Sequence, residues 1–145
     1  ELLNVISDPI LVIPAFLLMK NFYVYVFLVF PDLALRIHPY NWKAQVFDII
    51  RSQLESAPRK MIFSEDGRFA YVVCELKNYI NVYSYDASSD KNRFEMIQNI
   101  FTVRRDHKSN SAASDICLTN SGNNLICSNA GDNTATIYSL DKTTG

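Results

Sequence analysis

APRKMIFSEDGRFAYVVCELKNYINVYSYD, residues 57–86, sets the grammar of the whole chain. SEDG at 64–67 is a turn signal between two apolar runs, and ELKN at 75–78 is a second, short polar turn before an alternating run. The spacing predicts strands over Lys60–Ser64, Phe69–Glu75 and Tyr79–Tyr85, with a fourth over Phe94–Val103. FAYVV is continuously apolar and suits a strand covered on both faces, whereas INVYSY alternates and suits a half-exposed one. No stretch holds a helical period over three turns.

The stretch recurs. MIFSEDGRFAYVVCELKNYINVYSYD (61–86) lies over ICLTNSGNNLICSNAGDNTATIYSLD (116–141) without a gap, at an offset of 55. Only five of 26 positions are identical, but they are Gly67/Gly122, Asn78/Asn133, the Tyr-Ser pairs at 83–84 and 138–139, and Asp86/Asp141. Turns and strand ends are the positions a shared backbone constrains most. A fainter copy, VFPDLALRIHPYN (29–41), sets Asp32 opposite Glu75 at an offset of 43. Short antiparallel strands, four to a unit, repeating at this spacing predict β-propeller blades in an all-β chain. A β-sandwich could use the same strands, but it does not call for the long-range repeat.

Upstream, ILVIPAFLLMKNFYVYVFLVF (10–30) is long enough to span a bilayer as a helix. Lys20 and Asn21 at its middle, Pro14, and an aromatic and β-branched second half argue instead for two buried strands, near 10–18 and 22–30, joined at 19–21. A membrane partner is therefore not expected, and the acidic start lacks the basic flank of a secretory leader.

Fourteen basic and fifteen acidic residues leave a net charge of −1, so the chain has no electrostatic footprint for nucleic acid. Cys74, Cys117 and Cys127 form no disulfide framework or zinc spacing, and the expectation is reduced, buried thiols in a cytoplasmic protein. The opening on Glu1 and the close on DKTTG are read as a piece of a longer product.

APRKMIFSEDGRFAYVVCELKNYINVYSYD followed by SAASDICLTNSGNNLICSNAGDNTATIYSLD resembles the lactonase family of seven-bladed β-propellers, which includes a class of 6-phosphogluconolactonases and the carboxy-cis,cis-muconate cyclases. The likeness runs from about Ala57 to Gly145, and PDLALRI (31–37) extends it weakly upstream. The resemblance implies hydrolysis of 6-phosphogluconolactone or cyclase-type lactone chemistry, on a sugar lactone or muconolactone, with neither a metal nor an organic cofactor. It also implies about three of seven blades: an incomplete first blade in 1–56 with an unmatched apolar N-terminus, a well-matched blade in 57–110, and an incomplete third in 111–145. Open blade faces would then favour oligomerisation, and a non-catalytic interaction module is the alternative function.

The family's implied site joins the His of a GPRH motif, the acid of AAEIH and nearby arginines. Here Arg59 is kept, the histidine is Lys60, the acid is Asp115, the second motif's histidine is Cys117, and the Arg of SNRG is Ala130. Arg104 or Arg105 would supply a further arginine. Arg59 and Lys60 suit anion binding, and an ordinary lysine is protonated at neutral pH and makes a poor base; Asp115 and Lys60 are the candidate catalytic residues, with Arg59, Glu75, Arg104 and Arg105 as candidates for holding substrate. Glu75 has two readings, a ligand for a substrate hydroxyl or an architectural carboxylate accepting from backbone or Lys77, and the second is preferred. His38 and His107 are read as ordinary surface or loop histidines.

Overall fold

The computed structural model describes the backbone of four strands between residues 16 and 48, and then residues 50, 53, 55–89, 93–104, 106 and 110–145. The chain divides into two compact units, residues 1–51 and 52–145.

In the first unit β1 (Phe16–Lys20), β2 (Tyr23–Leu28), β3 (Leu33–Ile37) and β4 (Ala44–Asp48) form an antiparallel sheet in chain order. The apolar N-terminal region thus supplies strands, with a correction to their bounds. β1 runs on through Met19 and Lys20, which were expected in the turn, and Lys20 pairs with Tyr23 across a two-residue link. A short hairpin link lets a charged residue end one strand while the apolar pairing continues behind it. The rest of the expected strands, residues 10–15, 22 and 29–30, lies outside the described residues, as do Asp32 and His38. Among the described residues no helix is long and apolar enough to cross a membrane.

The second unit holds two sheets. β5 (Pro58–Phe63), β6 (Phe69–Cys74), β7 (Tyr79–Tyr85) and β8 (Phe94–Phe101) follow in order, and β9 (Ala112–Leu118), β10 (Asn124–Ala130) and β11 (Thr134–Ser139) form a three-stranded neighbour. The fold is all-β, with the antiparallel sheets of propeller blades.

The repeat reappears in the hydrogen bonds. Ser64 N–H donates to the Phe69 carbonyl and Gly67 N–H to the Ser64 carbonyl; Thr119 to Asn124 and Gly122 to Thr119 repeat both bonds 55 residues on. Each hydroxyl also accepts across its turn, Ser64 Oγ from Phe69 N–H and Thr119 Oγ1 from Asn124 N–H, which explains why only Ser and Thr alternate there. Gly67 and Gly122 hold φ of 76° and 65°, a region closed to most side chains. Asn78 and Asn133 take φ of 53° and 56° before β7 and β11, the left-handed conformation that asparagine tolerates.

The core lies between the two sheets. Phe69, Tyr71, Val73, Ile80 and Val82 meet Ala113, Ile116, Leu125 and Cys127. Each large apolar side chain buried this way contributes about 1.5–3 kcal/mol. The opposite face of the β5–β8 sheet is closed by an aromatic group, with Tyr85 and Phe94 ring centroids 4.7 Å apart and Phe63 edge-on to Tyr85 at 5.2 Å.

β6 is buried along its whole length, as a continuous apolar run requires. β7 is buried too, apart from Ser84, against the expectation of a half-exposed strand. The reason is Asn81, 1% exposed, which accepts from Asn99 Nδ2 at 2.7 Å and donates to Tyr83 Oη at 3.3 Å. A polar residue whose bonds are met inside needs no water, so alternation in polarity did not become alternation in exposure. Cys117 is also a correction: it is exposed, because Ile116 and Leu118 on either side turn inward, while Cys74 and Cys127 are buried.

Candidate functional site

At one end of these two sheets the chain passes four times: into β5, through the 75–78 turn, along the connection from β8 to β9, and through the 131–133 turn. The passages are tied together. Glu75 N–H donates to the Ala57 carbonyl at 2.9 Å, Thr102 N–H to the Asn78 carbonyl at 2.8 Å, and Asn78 Nδ2 to the Ser111 carbonyl at 2.8 Å. Gly131 (φ 85°) lies so close to this connection that a Cβ there would stand 2.3 Å from the Asn110 carbonyl oxygen.

Four of the predicted site residues come together here. Lys60 Nζ donates to Asp115 Oδ1, joining β5 of one sheet to β9 of the next, and Arg59 Nη1 donates to Glu75 Oε2 at 2.8 Å. Lys60 and Asp115 are separated by 55 residues, so they hold equivalent positions in successive repeats. The β5–β6 pairing shifts register between Pro58 and Lys60, and the two adjacent side chains part there, Arg59 to Glu75 and Lys60 across the sheet boundary. Lys60 and Asp115 side chains are 33% and 62% exposed, so water reaches the pair.

Partial burial works to raise the Asp115 pKa. The hydrogen bond from Lys60, the Ile116 N–H at 2.8 Å and the charges of Lys60 and Arg59 outweigh it, and the carboxyl titrates below its ordinary value. Asp115 is therefore ionised at neutral pH. The Cys127 thiol is pushed up to about 11, first by burial and then by the Asp115 charge.

Glu75 is fastened by Arg59 of its own sheet, where a backbone donor or Lys77 was expected. Lys77 approaches Glu55 at 3.8 Å instead. Arg104 is 87% exposed and bonds to Asp106 of its own connection through Nε at 3.2 Å, away from the Lys60–Asp115 pair. Arg105 and His107 lie outside the described residues. Among the described residues no group of three or more His, Cys, Asp or Glu side chains could hold a metal ion.

Sequence reasoning named Lys60 and Asp115 separately and missed that they bond to each other. The signal was present in the offset of 55 itself. It also missed Asn129, 2% exposed at the end of β10, because the repeat sets it opposite Cys74 and gives no hint of a polar role.

Blade-like antiparallel sheets that repeat in register, stacked face to face, with charged residues gathered where the strands begin, define a segment of a β-propeller. The chain belongs to the lactonase family of seven-bladed β-propellers, whose family model matches residues 26–145. A protein from Lactococcus lactis is 31% identical over 98 residues, 68% of this chain and 28% of that protein. Among solved structures, a protein from Lactobacillus plantarum superposes with a TM-score of 0.79 at 20% identity, over 90% of this chain and 38% of its own. A periplasmic gluconolactonase from Pseudomonas aeruginosa gives 0.76 at 21% identity, over 89% and 38%. A putative 6-phosphogluconolactonase from Bacteroides uniformis gives 0.72 at 25% identity, over 89% and 37%. The chain thus spans under two fifths of each of these structures and 28% of the Lactococcus relative.

Proposed function

We propose that the protein to which these blades belong hydrolyses the lactone of a phosphorylated sugar acid, of the 6-phosphogluconolactone type. The observation that carries this reading is the Lys60–Asp115 pair, formed across adjoining sheets with Arg59 and Glu75 alongside. Two cations and an ionised carboxylate at one end of the sheets supply anion binding and proton acceptance within a few ångströms of each other.

Arg59 and Lys60 receive the substrate's phosphate, the guanidinium as a planar fork and the ammonium as a point charge. Drawing Lys60 toward that anion loosens its hold on Asp115, whose carboxylate then takes a proton from water. The water oxygen adds to the lactone carbonyl carbon, the ring C–O bond breaks, the former ring oxygen takes up the proton held by Asp115, and the resulting acid gives its own proton to solvent and leaves as an open-chain carboxylate. Glu75 holds Arg59 in place and keeps its fork directed. The shortfall relative to the family pattern, Lys60 for histidine and Ala130 for arginine, implies a slower reaction than an intact site would give.

The test is hydrolysis of 6-phosphogluconolactone by the purified chain against the spontaneous rate in the same buffer. The expected result is a measurable excess, reduced at least tenfold in kcat/KM by Asp115→Asn and by Arg59→Ala, and a weaker excess on the unphosphorylated lactone. A rate equal to buffer refutes the proposal for this chain. One observation favours a second reading, a non-catalytic propeller segment that acts by protein contact: among the described residues β11 has a strand on one side only, and Ile137 on it is 66% exposed. On that reading a buffer-equal rate is accompanied by self-association in light scattering.

A further inference from the structure

The junction between the two sheets contains polar side chains whose burial the protein alone does not satisfy. Thr102 and Asn129 are 1% and 2% exposed. The Thr102 carbonyl accepts from Asn129 Nδ2 at 2.9 Å and from Thr136 Oγ1 at 2.6 Å. Thr102 N–H reaches Asn78, and Asn78 Nδ2 reaches Ser111, so four residues from three separate passages are linked by consecutive hydrogen bonds. Each of the four nevertheless carries a buried oxygen without a hydrogen-bond partner among the described residues: Asn78 Oδ1, Thr102 Oγ1, Ser111 Oγ and Asn129 Oδ1.

Leaving a buried polar atom unpaired is costly, and four such atoms along one hydrogen-bonded seam call for polar partners from outside the protein chain. The chemistry of those partners follows from that of the four atoms. Two amide oxygens accept only, and two hydroxyls both donate and accept, so a ligand that donates and accepts hydrogen bonds can meet all four. Water does both and makes two to four bonds in such sites. A divalent cation would draw on carboxylates, whereas the four unpaired atoms are amide and hydroxyl oxygens, and Asp132 of the 131–133 turn accepts from Thr134 Oγ1 at 2.7 Å.

We propose that the seam formed by Asn78, Thr102, Ser111 and Asn129 is a binding site for ordered water, which joins the β6–β7 turn, the β8–β9 connection and the end of β10 into one rigid junction. Asn129 is the pivot. Its two amide hydrogens serve three acceptors, the Thr102 carbonyl at 2.9 Å and, sharing the second hydrogen, Thr134 Oγ1 at 3.2 Å and Thr136 Oγ1 at 3.3 Å, which orients Oδ1 while Nδ2 is occupied. The seam lies at the same end of the sheets as the Lys60–Asp115 pair but shares no residue with it, so the inference stands apart from any catalytic role.

Oxygen-17 magnetic relaxation dispersion on the purified chain counts long-lived internal waters and is insensitive to hydroxyl proton exchange. The expected result is a dispersion whose amplitude falls by at least one water in the Thr102→Val/Asn129→Leu variant, which replaces both oxygens with apolar groups of similar size. An unchanged amplitude in the folded variant overturns the proposal. If that variant does not fold, the wild-type crystal structure decides. Density within hydrogen-bond reach of both Asn129 Oδ1 and Thr102 Oγ1 supports the site. Empty space overturns it, as does density ringed by six or more oxygens at about 2.4 Å, which would be a cation.

Discussion

Neutralising Lys60 and Asp115 singly and together measures how much one ion pair contributes to docking the β9–β11 sheet on the β5–β8 sheet. Lys60→Met keeps the length of the side chain and removes its charge. Asp115→Asn keeps an oxygen for the Ile116 N–H, at 2.8 Å in the native protein, and removes the charge that Lys60 answers. Two unit charges about 3 Å apart attract by about 1.4 kcal/mol in water and several-fold more in a low dielectric. The exposures of 33% and 62% place this pair near the aqueous limit. Holding the long lysine chain in one geometry offsets part of that attraction, which leaves a coupling of about 0.5–1 kcal/mol. In a chain of this length that corresponds to a shift of about 2–4 °C in Tm. The assay is a double-mutant cycle by urea unfolding followed by circular dichroism, at 50 mM and at 500 mM NaCl. Screening acts over about 10 Å at 0.1 M salt and far less at the higher concentration, so the coupling should fall by half or more. A coupling below about 0.2 kcal/mol at low salt, or one indifferent to salt, refutes the argument that the pair fastens the two sheets.

Ile116→Ala should cost about 2–5 kcal/mol, since Ile116 is 1% exposed and stands in the core between the sheets; a loss below about 1 kcal/mol in urea unfolding would contradict that packing. Asp66 is held at a pKa of about 2 by the Ser64 hydroxyl, then by the Arg68 N–H and the Arg68 guanidinium. Because the folded value lies below the ordinary 3.8, its contribution to stability is complete above about pH 4 and is lost as pH falls toward 2. The side chain is 44% exposed, so solvent screening limits that contribution to under about 1 kcal/mol. Asp66→Asn should flatten the stability profile between pH 4 and 2, and a carbon-13 titration midpoint near 3.8 in the wild type would refute the assignment.

Much of the architecture was legible because turns carry local chemistry. SEDG and TNSG each place a hydroxyl, a capping side chain and a glycine at fixed spacing, and each closes the same pair of backbone bonds. The strand order followed from short links that admit only antiparallel neighbours. Exposure was less legible. INVYSY looked half-exposed because Asn81 is polar, and its satisfaction by Asn99, eighteen residues away, has no local signature. The candidate site was legible in its membership and not in its pairing: Arg59, Lys60, Glu75 and Asp115 stood out one by one, while Arg104 turned to its own neighbour Asp106.

By itself the sequence determined the repeat, its period, the antiparallel blade units and the charged residues at their ends, because turn chemistry and apolar patterning act over a few residues. Only the tertiary structure decided which charge answers which, that Lys60 and Asp115 close one sheet on the next, and that Asn129 and Thr102 share a buried polar seam. Those outcomes depend on how one sheet lies against another, and no local pattern encodes that distance.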